Sequence, residues 1–201
     1  MYSVVSLFAG IGGICLGFQQ AGFDVIWANE KDHAACLTYR HNFGNDYLVE
    51  GDIREIPEES IPHADVLAAG FPCQSFSTAG AGRGFADPRG TLFFEVIRVA
   101  KAIQPRVIFL ENVENLMDHD DGRTFQTIYS SLVELGYIIR YQAMATHEYA
   151  NIPQTRRRVY IVAFSDLELS DRFSFPEPIP LISRAMEWIK LDERKPDIYY
   201  Y

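Results

Sequence analysis

Short apolar runs alternate along this chain with stretches of helical periodicity, and that alternation restricts the fold more than any other feature. "SVVSLF" reads as a buried strand, followed by a glycine turn and a helix running to about Ala21. "DVIWANE" is a second strand, "HAACLTYRHNF" is helical and "YLVEGD" is a short strand. "ADVLAAGF" and "VIFLEN" are two further buried strands. Between them, "TLFFEVIRVAKAIQ" places Leu92, Phe93, Val96, Ile97, Ala100 and Ile103 on one helical face. "RTFQTIYSSLVELGY" is another helix, with Gly136 as its C′ residue. The last two strands, "YIIRYQAMA" and "RVYIVAF", are too close in sequence for a helical crossover and predict an antiparallel hairpin. The expected architecture is a doubly wound, mostly parallel α/β sheet with a C-terminal hairpin, its sites at the carboxyl ends of the strands.

One stretch departs from this pattern. In "AAGFPCQSFSTAG", residues 68–80, Cys73 lies between a proline and a glutamine where a buried strand gives way to a loop rich in glycine and serine. A structural cysteine belongs inside an element as a small buried hydrophobe, whereas this one stands at the carboxyl edge of the sheet. With three cysteines in 201 residues and no CxxC spacing, the chain carries neither a disulfide framework nor a zinc site, and suits a reducing compartment. No run of about 18 apolar residues is present to span a membrane, and "MYSVVSLFAG" lacks the basic region and cleavage site of a signal peptide. A cytoplasmic setting follows.

The first strand runs directly into "FAGIGGICLG". Glycines let the backbone approach a ligand closely, and the following helix directs its free N–H groups there. Cys15 occupies the position that a dinucleotide GxGxxG fingerprint reserves for a small residue, so the match to a nicotinamide cofactor is imperfect. Glu30 ends the second strand twenty residues after Gly10, the spacing of a carboxylate that accepts ribose hydroxyls. That geometry suits any adenosine cofactor, S-adenosylmethionine included.

Cys73 and Glu111 each follow a buried strand, the fourth and fifth, on the same edge of the sheet as the glycine turn. A thiol nucleophile, an acid and a cofactor carboxylate therefore converge by topology. The net charge of −9 argues against a nucleic-acid partner, but "QTRRRVY" clusters Arg156, Arg157 and Arg158, and Arg83 and Arg89 flank the glycine-rich stretch after Cys73. Phosphate contacts need only such local basic surface.

In this order, "FAGIGG", "NEKD", "GDIR", "GFPCQSFS", "ENV" and "QTRRRVYIVAF" resemble the successive motifs of the DNA (cytosine-5) methyltransferases. "GRGFADPRGTLFFE" resembles their mobile catalytic loop and the helix behind it, and the likeness covers residues 3–164. It implies a class I S-adenosylmethionine-dependent methyltransferase of Rossmann-like fold. The activity implied is methylation of carbon 5 of a cytosine flipped out of duplex DNA, as in a restriction-modification methylase of the bacterial cytosol or nucleoid. Cys73 matches the nucleophile that adds to carbon 6 of the base, a task suited to a thiolate that can later leave. Glu111 matches the residue that holds or protonates ring nitrogen 3. Arg158 matches the residue that binds the base carbonyl and braces the acid, and Arg156 lines the same pocket. Arg157 is expected on a solvated strand edge.

On the cofactor side, the resemblance places Phe8 against the sulfonium, where cation–π attraction favours it. Ala9, Gly10, Gly12 and Gly13 bring backbone to the methionine moiety, and Glu30 takes the ribose. Asp52 accepts from the adenine amine, Ile53 covers the ring, and Pro72 and Leu92 complete the cofactor site. One departure is Lys31, which stands where some relatives place an aromatic on adenine; its stem can cover the ring instead.

Residues 1–164 are expected to form the catalytic domain and 165–201 a proline-rich linker toward a target-recognition domain that this chain does not show. The expectation is a truncated enzyme or one subunit of a split enzyme, completed by a second polypeptide or C-terminal segment. Three rivals stay open: an RNA (tRNA) cytosine-5 methyltransferase, a dinucleotide-dependent oxidoreductase, and a noncatalytic DNA-binding partner.

Overall fold

The computed structural model describes residues 1–44, 46–72 and 92–184. Cys73, Arg83 and Arg89 lie outside the described residues, as do the glycines at 80, 82, 84 and 90 and residues 185–191 of "ISRAMEWIKL". The chain runs β1 (Ser3–Leu7), α1 (Gly13–Gln20), β2 (Asp24–Glu30), α2 (His33–Phe43), β3 (Leu48–Glu50) and β4 (Val66–Ala69). It continues with α3 (Leu92–Ile103), β5 (Val107–Val113), α4 (Arg123–Glu134), β6 (Ile138–Ala145), α5 (Thr146–Tyr149), β7 (Arg157–Phe164) and α6 (Leu167–Arg172).

The strands form one sheet in the order β3-β2-β1-β4-β5-β7-β6. β1 to β5 pair in parallel, while β7 lies between β5 and β6 and is antiparallel to both. The expected hairpin is present, but its second strand inserts next to β5. This is a doubly wound, Rossmann-like α/β fold. The strand order reverses between β1 and β4, which opens a crevice at their carboxyl ends, the usual position of a ligand in such a sheet.

Central β1 and β4 are covered on both faces, so they read as unbroken apolar runs with Val4, Val5, Leu67 and Ala68 fully or almost fully buried. β4 is shorter than its apolar run because its partner β1 ends at Leu7, opposite Ala69, and Pro72 has no N–H to continue a ladder. On one face α3 and α4 press Phe93, Val96, Ile128 and Leu132 onto Ile108, Leu110 and Ile161. On the other, α1 and α2 pack Cys15, Cys36 and Tyr39 against Val4, Val25 and Ala28. Asp32 caps α2 by accepting from the Ala35 N–H. Gly136 ends α4 at φ 87°, with the Tyr137 N–H returning to the Leu132 carbonyl.

Along β5 burial alternates, with Ile108, Leu110 and Asn112 facing α3 and α4 while Phe109 and Glu111 face the other way. On that second face Phe109, Tyr160, Val162 and Phe164 line an apolar groove of about 610 Å³, bordered by Phe173 and Phe175 from the segment after α6. α6 itself, capped by Asp166, was not apparent from the polar sequence "LELSDR". Among the described residues, no helix is long and apolar enough to cross a membrane.

Candidate active site

The turn after β1 is built on left-handed backbone. Gly10 and Gly12 adopt φ 57° and 96°, and a Cβ on Gly12 would stand 2.2 Å from the Phe43 ring, so this position requires glycine. Phe8 also takes φ 54°. A bulky residue held there costs about 1–3 kcal/mol, and such strain concentrates at functional positions. The turn is fixed to the acid that ends β2: the Gly10 N–H donates to Glu30 Oε2 at 2.8 Å, and the Lys31 and Asp32 N–H groups donate to Oε1. Ala9 is buried, and its N–H donates to the Asn29 carbonyl. Gly13 then opens α1.

A cavity of about 120 Å³ lies beside this turn, lined by Phe8, Glu30, Asp52, Ile53, Pro72 and Leu92 together with Lys31 and Gly70. Five separated stretches of sequence thus meet at one small site. Both Asp52 oxygens are engaged: Arg54 donates from Nε to Oδ1 at 2.9 Å and from Nη2 to Oδ2 at 2.5 Å. These bonds hold the Asp52 carboxyl well below the usual carboxylate range, so it is ionised and can accept. Lys31 reaches over to the same group, its Nζ 3.6 Å from Oδ2. Asn29, buried in β2, donates to the Val49 and Gly51 carbonyls and so positions the turn that carries Asp52. The sequence reading passed over Asn29 and Arg54; a buried amide inside the apolar run "VIWANE" was the available signal.

Across the turn, a larger cavity of about 740 Å³ is bounded by Phe8, Ala9, Gly10, Gly13, Glu111 and Arg156. Glu111 pairs in register with Tyr160, and Val113 with Arg158, so Arg158 is the diagonal same-face neighbour of the acid. Arg158 Nε stands 2.9 Å from Glu111 Oε1, and Arg156 Nη2 stands 3.6 Å from the same oxygen. Arg157 instead turns to Glu114 at 2.8 Å and to Glu148 at 3.9 Å, which makes it an ion-paired residue rather than a free edge cation. Gly70 separates the two cavities; a Cβ there would meet Ile14 at 3.2 Å and Glu111 Oε2 at 3.6 Å. That glycine too escaped the sequence reading, although its place at the end of "VLAAG" marks a close approach.

Asn112, 3 % exposed, donates to the Phe71 carbonyl at 3.2 Å and so ties β5 to the end of the fourth strand, two residues before Cys73. The other two cysteines, Cys15 and Cys36, are buried. Burial also pushes the Cys36 thiol up, away from the reactive thiolate. The described part of the site therefore joins a glycine turn, two carboxylates for a ligand rich in hydroxyl and amine donors, and an acid braced by two guanidiniums.

Over residues 2–196 the sequence matches the family of C-5 cytosine-specific DNA methylases. The chain belongs to this family. It is 49 % identical over 203 residues to the Type II methyltransferase M.Bsp6I of Bacillus sp. (strain RFL6), covering 100 % of this chain and 64 % of that protein. It is 46 % identical over 179 residues to the Type II methyltransferase M.NgoBI of Neisseria gonorrhoeae, covering 89 % of this chain and 55 % of that protein. The chain thus spans less than two thirds of the length of either relative. Its fold superposes on the crystal structure of the S. pombe Dnmt2 methyltransferase with a TM-score of 0.73, covering 96 % of this chain and 62 % of that one at 20 % identity. The sequence resemblance and the family match therefore agree.

Proposed function

We propose that this chain is the catalytic part of a DNA (cytosine-5) methyltransferase that uses S-adenosylmethionine. The observation that carries the reading is the Glu111–Arg158 pair standing beside a glycine turn whose own carboxylate, Glu30, is held by the Gly10 N–H. The residues fit the cofactor. Glu30 and ionised Asp52 offer acceptors for ribose hydroxyls and an exocyclic amine, Ile53 and Leu92 offer apolar faces, and strained Phe8 offers a π-face to a cation. When bound, the cofactor supplies an electrophilic methyl group.

The chain's own residues do the rest. Carbon 5 of cytosine is a poor nucleophile, so Cys73 adds as thiolate to carbon 6 and turns the ring into an enamine. Glu111, steered by Arg158, holds ring nitrogen 3 and supplies a proton as charge builds there, while Arg156 lines the same pocket. After alkylation the carbon-5 proton passes to solvent, the carbon 5–carbon 6 double bond re-forms as the thiolate leaves, and nitrogen 3 returns its proton to Glu111. Duplex DNA is the substrate we propose, with its target base flipped out of the stack.

The test is transfer of labelled methyl groups from S-adenosylmethionine to duplex DNA and to transfer RNA, using the enzyme that carries this chain. Label at carbon 5 of DNA cytosine supports the reading; label in transfer RNA alone replaces the substrate, and no transfer to either overturns the reading.

A further inference from the structure

Arg98 lines neither of the two cavities of the site, yet it joins two of the elements that form its adenosine side. It lies on α3, six residues after Leu92, with its side chain only 28 % exposed. Its Nη2 donates to the Ile53 carbonyl at 2.8 Å, its Nη1 to Glu58 Oε2 at 2.9 Å and its Nε to Glu95 Oε2 at 2.8 Å. Ile53 is 2 % exposed and opens the single-turn helix Ile53–Glu55, which Asp52 caps through the Arg54 N–H. Asp52, Ile53 and Leu92 all line the small cavity. A single guanidinium therefore fastens the turn that presents Asp52 and Ile53 to the helix that presents Leu92.

We propose that Arg98 is a positioning residue for the adenine moiety of the cofactor. It fixes where the Asp52–Ile53 wall stands relative to Leu92 without contacting the ligand itself. Its planar fork suits this task, since one group meets a backbone carbonyl and two carboxylates at once, which an ammonium on a flexible stem does not reproduce. Without it, Glu58 and Glu95 lose the cation they share and repel each other, and the Ile53 carbonyl loses its donor from α3. The wall then drifts from Leu92. This inference rests on the proposed use of S-adenosylmethionine.

The test is the affinity of Arg98→Met and Arg98→Lys variants for adenosine and for S-adenosylhomocysteine by calorimetry, with steady-state kinetics of the enzyme that carries this chain. Arg98→Met is expected to weaken both ligands about tenfold, the worth of one charge-assisted hydrogen bond. It should raise KM for the cofactor while kcat at saturation holds, and Arg98→Lys should recover part of the loss. A role in folding alone would lower the active fraction, and with it kcat, at unchanged KM; that pattern overturns the proposal, as does wild-type affinity in folded Arg98→Met. Should Arg98→Met not fold, Arg98→Lys decides, and wild-type affinity in it again overturns the proposal. Wild-type protein that binds neither adenosine ligand overturns instead the cofactor reading beneath it.

Discussion

Arg158 Nε stands 2.9 Å from Glu111 Oε1 across the antiparallel β5–β7 pair, an ion pair placed by register rather than by a flexible loop. Arg156 approaches the same oxygen at 3.6 Å and is 52 % exposed, whereas Arg157 is committed to Glu114. The three neighbouring arginines therefore rank in their effect. Arg158→Ala is expected to slow methyl transfer by about 10²-fold, because it removes a group that orients the acid. Arg156→Ala should have a smaller effect and Arg157→Ala the smallest. Single-turnover rates at saturating cofactor and DNA check the order; equal losses in all three would mean that the cluster acts only as bulk positive charge.

Glu111→Gln keeps shape and hydrogen bonding but not the proton. Transfer should fall by about 10²–10⁴-fold, the usual worth of general acid–base catalysis. Affinity for S-adenosylhomocysteine should change little, because glutamine keeps the side chain's shape and Glu111 does not line the cavity shared by Asp52 and Ile53. A loss of affinity with an unchanged rate would move Glu111 to the cofactor side.

Cys15 and Cys36 are both 0 % exposed. Of the three cysteines in residues 1–201, Cys15 and Cys36 are therefore expected to resist iodoacetamide in the native protein, which leaves Cys73 as the one to take it up, and Cys73→Ser should take up none within these residues. Peptide mapping checks this, and labelling of Cys15 or Cys36 under native conditions would contradict the packing of α1 and α2 described above.

Asp52 links the site to acid stability. Arg54 lowers its carboxyl in the folded state, so its contribution is fully present above the unfolded value of about 3.9 and is lost as pH falls through the lower folded value. Melting temperatures recorded between about pH 2 and pH 7 should fall less steeply on the acid side in Asp52→Asn than in the wild type. Parallel curves would show that the Arg54 fork contributes nothing to stability. At neutral pH Asp52 stays ionised, so cofactor affinity should not titrate through this group.

The parallel half of the sheet was legible because covered strands must be apolar throughout and glycines must stand where backbone turns left-handed; "HAACLTYRHNF" coincides with α2 residue for residue. The position of β7 was not legible. Adjacent antiparallel strands announce their pairing, but nothing in "RVYIVAF" specifies that β5 is the other neighbour. In the site, residue types and spacing pointed to Glu30 and Glu111 near the carboxyl ends of their strands, and the family resemblance pointed to Asp52. The partners of those acids were hidden. Arg54 lies in a polar stretch where cations are ordinary, and Arg98 interrupts an apolar helix, its significance coming from a carbonyl and a carboxylate forty or more positions away. Lys31 illustrates a reading that the structure refined: its ammonium is directed to Asp52 while the residue still lines the cavity.

The central claim is a covalent bond between Cys73 and cytosine. Duplex DNA carrying 5-fluorocytosine at the target position tests it most directly, because fluorine at carbon 5 blocks the elimination that frees the thiol. With S-adenosylmethionine present, the enzyme that carries this chain should form a complex with that DNA that survives denaturing electrophoresis, its peptide link mapping to Cys73. Cys73→Ser should form none. An equally stable complex with Cys73→Ser, or a link at another residue, would contradict the account.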